Sequence, residues 1–161
     1  HAAARLNSAL VRTEKIANAV GAGYDSTQRG PGMFIVNGIP SAGKSVADLE
    51  QALRREIAKI VADGITEEEL KRVKAQVVSS QVFQRDSIYY QAMIIGSLEI
   101  AGYPHSAMDR MIDKLREVTP AQVQEVARKY LVDESLTVAV LDPQPLDGVK
   151  AAAPAGVRHA Q

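Results

Sequence analysis

The chain has 161 residues, 46% of them hydrophobic, enough for one domain with a sizeable core. Its 19 basic and 19 acidic side chains cancel, so the charge balance points to neither nucleic acid nor an anionic membrane surface as partner. Cysteine is absent, which excludes disulfides and thiolate metal sites; no apolar run approaches the roughly 20 residues that span a bilayer, and no signal peptide opens the chain.

In chain order, Leu6, Leu10 and Ile16 predict a helix that begins without an N-cap, as a processing boundary or an incomplete start would. Residues 17–24, small and glycine-containing with Val20, Ala22 and Tyr24 on one face, read as a strand; residues 33–39 read as a second. The turn-forming stretch 25–32 between them predicts an antiparallel hairpin with a long loop, and Pro40 ends it. Ser45 caps a helix whose apolar stripe is Val46, Leu49, Leu53, Ile57, Ile60 and Val61. Gly64 then suits a left-handed C-cap, and Thr66 with Glu69 spells a capping box for a longer helix whose stripe begins Leu70, Val73 and Val77. Both stripes are expected to face a sheet. The longer helix is predicted to reach Gly102, with a break near 85–89.

Ser106 with Asp109 predicts a helix carrying Met108, Met111, Ile112 and Leu115; Thr119, Pro120 and Gln122 open another carrying Val123, Val126, Ala127 and Tyr130. Residues 136–141 read as a third strand, and the prolines, alanines and glycines of 143–161 as a flexible tail. The order predicts a single α+β domain over 1–142, in two layers: a largely antiparallel sheet covered on one face by helices.

Gly38-Ile39-Pro40-Ser41-Ala42-Gly43-Lys44-Ser45 fits the phosphate-loop pattern G-x-x-x-x-G-K-S and lies between a strand and a helix. A nucleotide-hydrolysing domain also needs parallel strands joined by crossover helices, whereas here a hairpin precedes the loop and helices follow one another without strands. Pro40 also removes one backbone N–H from the cradle. The stretch is read as a solvated loop with Ser45 as a cap; Lys44 and Ser45 are cofactor-binding residues only under the alternative reading. Metal ligands are equally scarce: His1, His105 and His159 belong to no H-E-x-x-H or H-x-x-E-H motif, and the pair His105 and Asp109 reads as a helix start. Neither Ser87 nor Ser97 has the surroundings of an activated nucleophile, so no catalytic residue is nominated. The stretch from Arg85 to Tyr90 is read as a helix kink or an interface edge.

Several stretches together resemble a known family. Arg5-Leu6 and Leu10-Val11-Arg12, the strand ending Gly23-Tyr24-Asp25, and Gly30-Pro31-Gly32 leading into Met33-Phe34-Ile35-Val36 come first. The junction Asp63-Gly64-Ile65-Thr66-Glu67-Glu68-Glu69-Leu70, then Val118-Thr119-Pro120 and Val126-Ala127-Arg128-Lys129-Tyr130-Leu131, follow in order. Over about residues 5–142 the chain resembles the C-terminal domain of bacterial pitrilysin/insulinase-type zinc metallopeptidases, relatives of the mitochondrial processing peptidase.

The resemblance implies an N-terminally incomplete domain that binds no metal and is itself inactive. It implies a zinc-bearing catalytic peptidase domain as partner, with which the chain encloses a chamber for peptide substrates; zinc-activated water and a glutamate base there would cleave the peptide. The periplasm is slightly favoured over the cytoplasm as compartment. Many active relatives carry an arginine and, seven residues on, a tyrosine that hold substrate; Arg12 matches the first, but the second position is Ala19 and the nearest tyrosine is Tyr24. Arg12 is therefore the one substrate-binding candidate, within an incomplete pair. The other readings are a nucleotide binder through residues 38–45 and an assembly module with no small-molecule site. A sheet edge left without its strand also predicts self-association.

Overall fold

A computed structural model describes residues 4–25, 27–84 and 86–142, without the side chains of Val82, Gln84, Met108 and Asp109. The tail reading for 143–161 lies outside them. Residues Asn7–Thr13 form a π-helix in which Leu10 is fully buried. The Glu14 N–H donates to the Ala9 carbonyl at 2.8 Å, five residues back. Ile16 was expected on this helix and lies beyond it: Lys15 adopts φ 52°, the only non-glycine residue with positive φ among the described residues, and turns the chain into the first strand.

That strand, β1 (Ala17–Tyr24), pairs antiparallel with β2 (Phe34–Pro40), with Gly21 opposite Asn37, Gly23 opposite Ile35 and an irregularity between Ala17 and Ala19. Helix α1 (Val46–Asp63) packs on β2, the π-helix on β1, and the core forms where they meet: Leu10, Ala17, Leu49 and Ala52, flanked by Leu6, Ala9, Val11, Ile16, Val20 and Leu53. The α+β layering holds.

The predicted third strand does not join it. Residues 136–141 follow a 3-10 turn at Asp133–Ser135 and start extended, yet among the described residues the sheet has only two strands. A strand exists through its neighbour's hydrogen bonds, and this segment has none to pair with.

Four further helices follow α1. α2 (Glu67–Gln84) and α3 (Ile88–Ala101) replace the long helix, broken where expected; the Ser87 hydroxyl accepts the Tyr90 N–H at 3.2 Å, and Gly102 ends α3 in the left-handed conformation. α4 (Ala107–Glu117) begins without the expected Ser106 cap, since Ser106 itself takes helical angles. α5 (Pro120–Tyr130) has its full capping box between Thr119 and Gln122.

α5 is fastened to the end of α1 by side chains: Gln124 Nε2 donates to the Val61 and Ala62 carbonyls at 3.2 and 2.9 Å, and Arg128 Nε to Val61 at 3.0 Å. These satisfy carbonyls that a helix end leaves open. Gly64, beneath Gln124, has φ 74° as expected but ψ −153°, an extended conformation open in practice to glycine and not the left-handed helical one. α2 is joined to α4 in a similar way, by Lys74 Nζ donating to the Arg116 and Val118 carbonyls at 2.7 and 2.5 Å. Only Leu70 of the α2 stripe is buried; Val73 and Val77 are 44% and 40% exposed, because α2 packs toward α4 and not onto the sheet as expected.

Candidate functional site

The phosphate-loop look-alike is occupied by the chain's own carboxylate. Gly38 to Pro40 are the end of β2 in an antiparallel hairpin, and residues 41–44 turn the chain into α1. Ser45 N–H and Oγ both donate to Asp48 Oδ2, at 2.9 and 2.7 Å, while Asp48 N–H donates back to Ser45 Oγ at 3.0 Å. A negative charge thus lies where a phosphate would need the helix N-terminus. The Ser45 hydroxyl and then its N–H hold the Asp48 carboxyl below its ordinary pKa, so the charge stays through the neutral range. The serine-x-x-aspartate spacing was the signal for this arrangement.

Among the described residues no three of histidine, cysteine, aspartate or glutamate come together to hold a metal. His105 is exposed and its backbone N–H donates to Glu99 Oε1 at 3.0 Å, with Nδ1 3.7 Å from the same carboxylate; the Asp109 side chain lies outside the described residues. The described residues do not fit a zinc centre, and no step of hydrolysis is built on them.

Two charged groupings escaped the sequence reading. The Glu69 carboxylate, expected to close the capping box, instead takes Arg5 Nε and Nη2 at 3.3 and 2.7 Å, leaving Thr66 Oγ1 to accept the Glu69 N–H alone. The Glu69 hydrogen bond is the main influence that raises the Arg5 pKa, against some loss of hydration. Glu56 is the other: it is 2% exposed, one turn beyond Ala52 on the buried stripe of α1, and is paired with Lys59 at 2.5 Å. Its place on that stripe was readable from spacing.

The face of the hairpin turned away from α1 carries an open trough of about 400 Å³, with Gly21, Gly23, Ile35 and Asn37 in its floor and Asp25 and Met33 at its rim. A Cβ at position 21 would come within 2.6 Å of Asn37 Oδ1, so Gly21 is what lets the amide lie across the strand. Asp25, held ionised mainly by the Thr27 N–H and hydroxyl, is its only charged group, and nothing in the trough can act as a nucleophile or acid–base pair. Arg12 is exposed on the last turn of the π-helix and, among the described residues, makes no ion pair or side-chain hydrogen bond.

Residues 1–77 match the family model described as the peptidase M16 inactive domain. That stretch, just under half of the chain, resembles the inactive domain of the M16 peptidases. It is 27% identical over 120 residues to an uncharacterised zinc protease, YmxG, of Bacillus subtilis strain 168; that stretch is 74% of this chain and 29% of the relative, so the chain spans under a third of that protein. The fold of this chain recurs in a crystal structure of a candidate zinc protease from Bordetella pertussis Tohama I, with TM-score 0.76 and 20% identity over 89% of this chain and 78% of that one. The inactive peptidase domain of a candidate zinc protease from Bordetella parapertussis gives 0.72 at the same identity and coverage. A Helicobacter pylori protease gives 0.76 at 15% identity, over 84% of this chain and 32% of that one.

Tyr24, the tyrosine nearest to Ala19, does not share its place on the sheet. The two are five strand positions apart, about 17 Å of rise, and the odd spacing points them to opposite faces of β1.

Proposed function

We propose that this chain is the non-catalytic wall of a peptidase chamber, closed against a zinc-bearing domain that hydrolyses peptide substrates. The match of residues 1–77 to an inactive peptidase domain carries the reading, and the charge cradle at Ser45, filled by Asp48, speaks against the nucleotide alternative. Arg12, exposed and unpaired among the described residues, is the side chain of this wall offered to a peptide carbonyl or carboxylate. The compartment proposed is the bacterial periplasm.

The test uses the complete polypeptide or complex that holds both domains, assayed on a quenched peptide with zinc content measured in parallel. Removing residues 1–142 should abolish hydrolysis while the remaining domain keeps its zinc, and Arg12→Ala should raise KM. Full hydrolysis without this region, or peptide cleavage by the isolated chain, would overturn the proposal.

A further inference from the structure

Arg12 sits in the last turn of the π-helix, and the end of that turn is closed by three hydrogen bonds. Glu14 N–H donates to the Ala9 carbonyl at 2.8 Å, Ile16 N–H to the Leu10 carbonyl at 2.9 Å, and Thr13 Oγ1 to the Ser8 carbonyl at 3.0 Å. Lys15, at φ 52°, then turns the chain, and the Ile16 carbonyl accepts the Ser41 N–H at 3.0 Å. π-helical turns are rare and occur often at functional sites. A non-glycine residue at positive φ persists only where its surroundings over-determine it. Both features lie at or next to Arg12.

These bonds stay inside the turn or run to the chain just past β2. The polar tie to α1 is ionic: Arg55 Nη2 of that helix donates to Glu14 Oε2 at 2.5 Å. Among the described residues no other hydrogen bond or ion pair joins residues 12–16 to α1. The start of the π-helix has a pair of its own, Arg5 with Glu69 of α2 at 2.7 Å. Leu10, fully buried, stands between that pair and Arg12 and fixes the helix there, so loosening at Arg5 is not passed on. Beyond Leu10, the turn that carries Arg12 is referred to α1 by Glu14 and Arg55.

Charge alone makes Glu14 a poor neighbour. A carboxylate at the C-terminal end of a helix opposes the helix dipole, and a negative charge two residues from Arg12 weakens the pull of its guanidinium on a carbonyl or carboxylate. What Glu14 supplies instead is a grip on Arg55, and through it a fixed place for the turn. We propose that Glu14 and Arg55 are positioning residues for Arg12, holding its turn against α1 so that the guanidinium meets a peptide acceptor already in place. The proposal rests on the reading of Arg12 as the peptide-binding side chain of the chamber wall. A group held in place before binding loses less freedom on binding, and the gain appears in affinity.

The test uses the complete polypeptide or complex that holds both domains, with hydrolysis of a quenched fluorescent peptide as readout and zinc content and the far-UV spectrum followed in parallel. Glu14→Gln should raise KM about two- to fivefold, the scale of one exposed ion pair, with kcat, zinc and spectrum unchanged. The direction decides, because the same variant removes a negative charge near Arg12 and a field effect alone would lower KM. Arg55→Ala should match Glu14→Gln, Arg55→Lys should lose less, and Arg5→Ala should leave KM unchanged. In an Arg12→Ala background Glu14→Gln should change KM no further, since a residue that acts through another is not additive with it. Arg12→Ala without effect on KM would overturn the reading of Arg12 and this inference with it. A KM that rises in Arg12→Ala but stays level or falls in Glu14→Gln, or a Glu14→Gln effect undiminished in the Arg12→Ala background, would overturn the positioning role alone and leave Arg12 as the peptide contact.

Discussion

Replacing Gly38 with alanine should cost the fold roughly 1 kcal/mol, near the middle of the range that two opposed effects leave. A Cβ at this position would lie 2.9 Å from Leu49 Cδ2, 3.4 Å from Val20 Cγ1 and 3.5 Å from the Ala19 carbonyl oxygen. Carbon atoms in contact prefer about 3.5–4.0 Å, so the first approach is a clash. Leu49 cannot swing away, since it is 4% exposed and packed with Leu10, Ala17 and Ala52. Overpacking of this kind costs about 1–3 kcal/mol, offset by about 0.4–1 kcal/mol because alanine restricts the unfolded chain more than glycine does.

Leu49→Ala alone should cost about 2–5 kcal/mol, yet it also removes the atom that the new methyl strikes. The double variant should therefore be more stable than the sum of the single effects by at least about 0.5 kcal/mol. Urea unfolding followed by circular dichroism measures all four corners of the cycle. A Gly38→Ala variant as stable as the parent, or strict additivity with Leu49→Ala, would refute the claim that β2 and α1 touch here because residue 38 has no side chain.

Leu53→Ala, which cuts into the rim of the same core, should cost at least about 2 kcal/mol by urea unfolding, whereas exposed Lys71→Ala should stay within about 0.5 kcal/mol. Lys44→Ala should leave stability unchanged within about 0.5 kcal/mol and reveal no nucleotide site; calorimetric ATP binding that vanishes in this variant would restore the phosphate-loop reading. Asp48 titrates below its ordinary value of 3.8 in the folded chain, so its stabilising effect is complete above that value and is lost as pH falls through the lower folded one. Asp48→Asn should flatten that acid limb of the stability profile and leave the neutral-to-alkaline part parallel to the parent's. Arg5→Ala and Glu69→Ala should couple in a double-mutant cycle, with the coupling reduced by salt because both side chains are partly exposed.

Much of the architecture was local chemistry and could be read directly. Ser45 and Thr119 with Pro120 announce helix starts because a cap needs only a few neighbouring residues. The hairpin could be read because turn formers separate two apolar runs. What failed depended on distant partners. Thr66 and Glu69 had the right spacing for a capping box, but Arg5, more than sixty residues away, takes the carboxylate. Residues 136–141 have strand composition, and composition cannot supply a neighbour. Val73 and Val77 carry the period of a buried stripe, but period says that a face exists, not which element covers it. At the candidate site, Arg12 came from family resemblance; the trough across Gly21 could not be read, since it depends on which residues of β2 lie opposite.

Lys74 closes a circuit. Its ammonium grips the last carbonyls of α4, so the chain that leaves α2, runs through α3 and returns along α4 is tied back near its point of departure. The π-helix, hairpin, α1 and α5 hold one another by separate contacts, and Arg5 with Glu69 bridges the two groups. Native-state amide exchange should show these two sets of contacts opening at different free energies. Acetylation of Lys74 removes the charge that holds the circuit shut, and would loosen α4 while leaving protection in α1 and β1 intact.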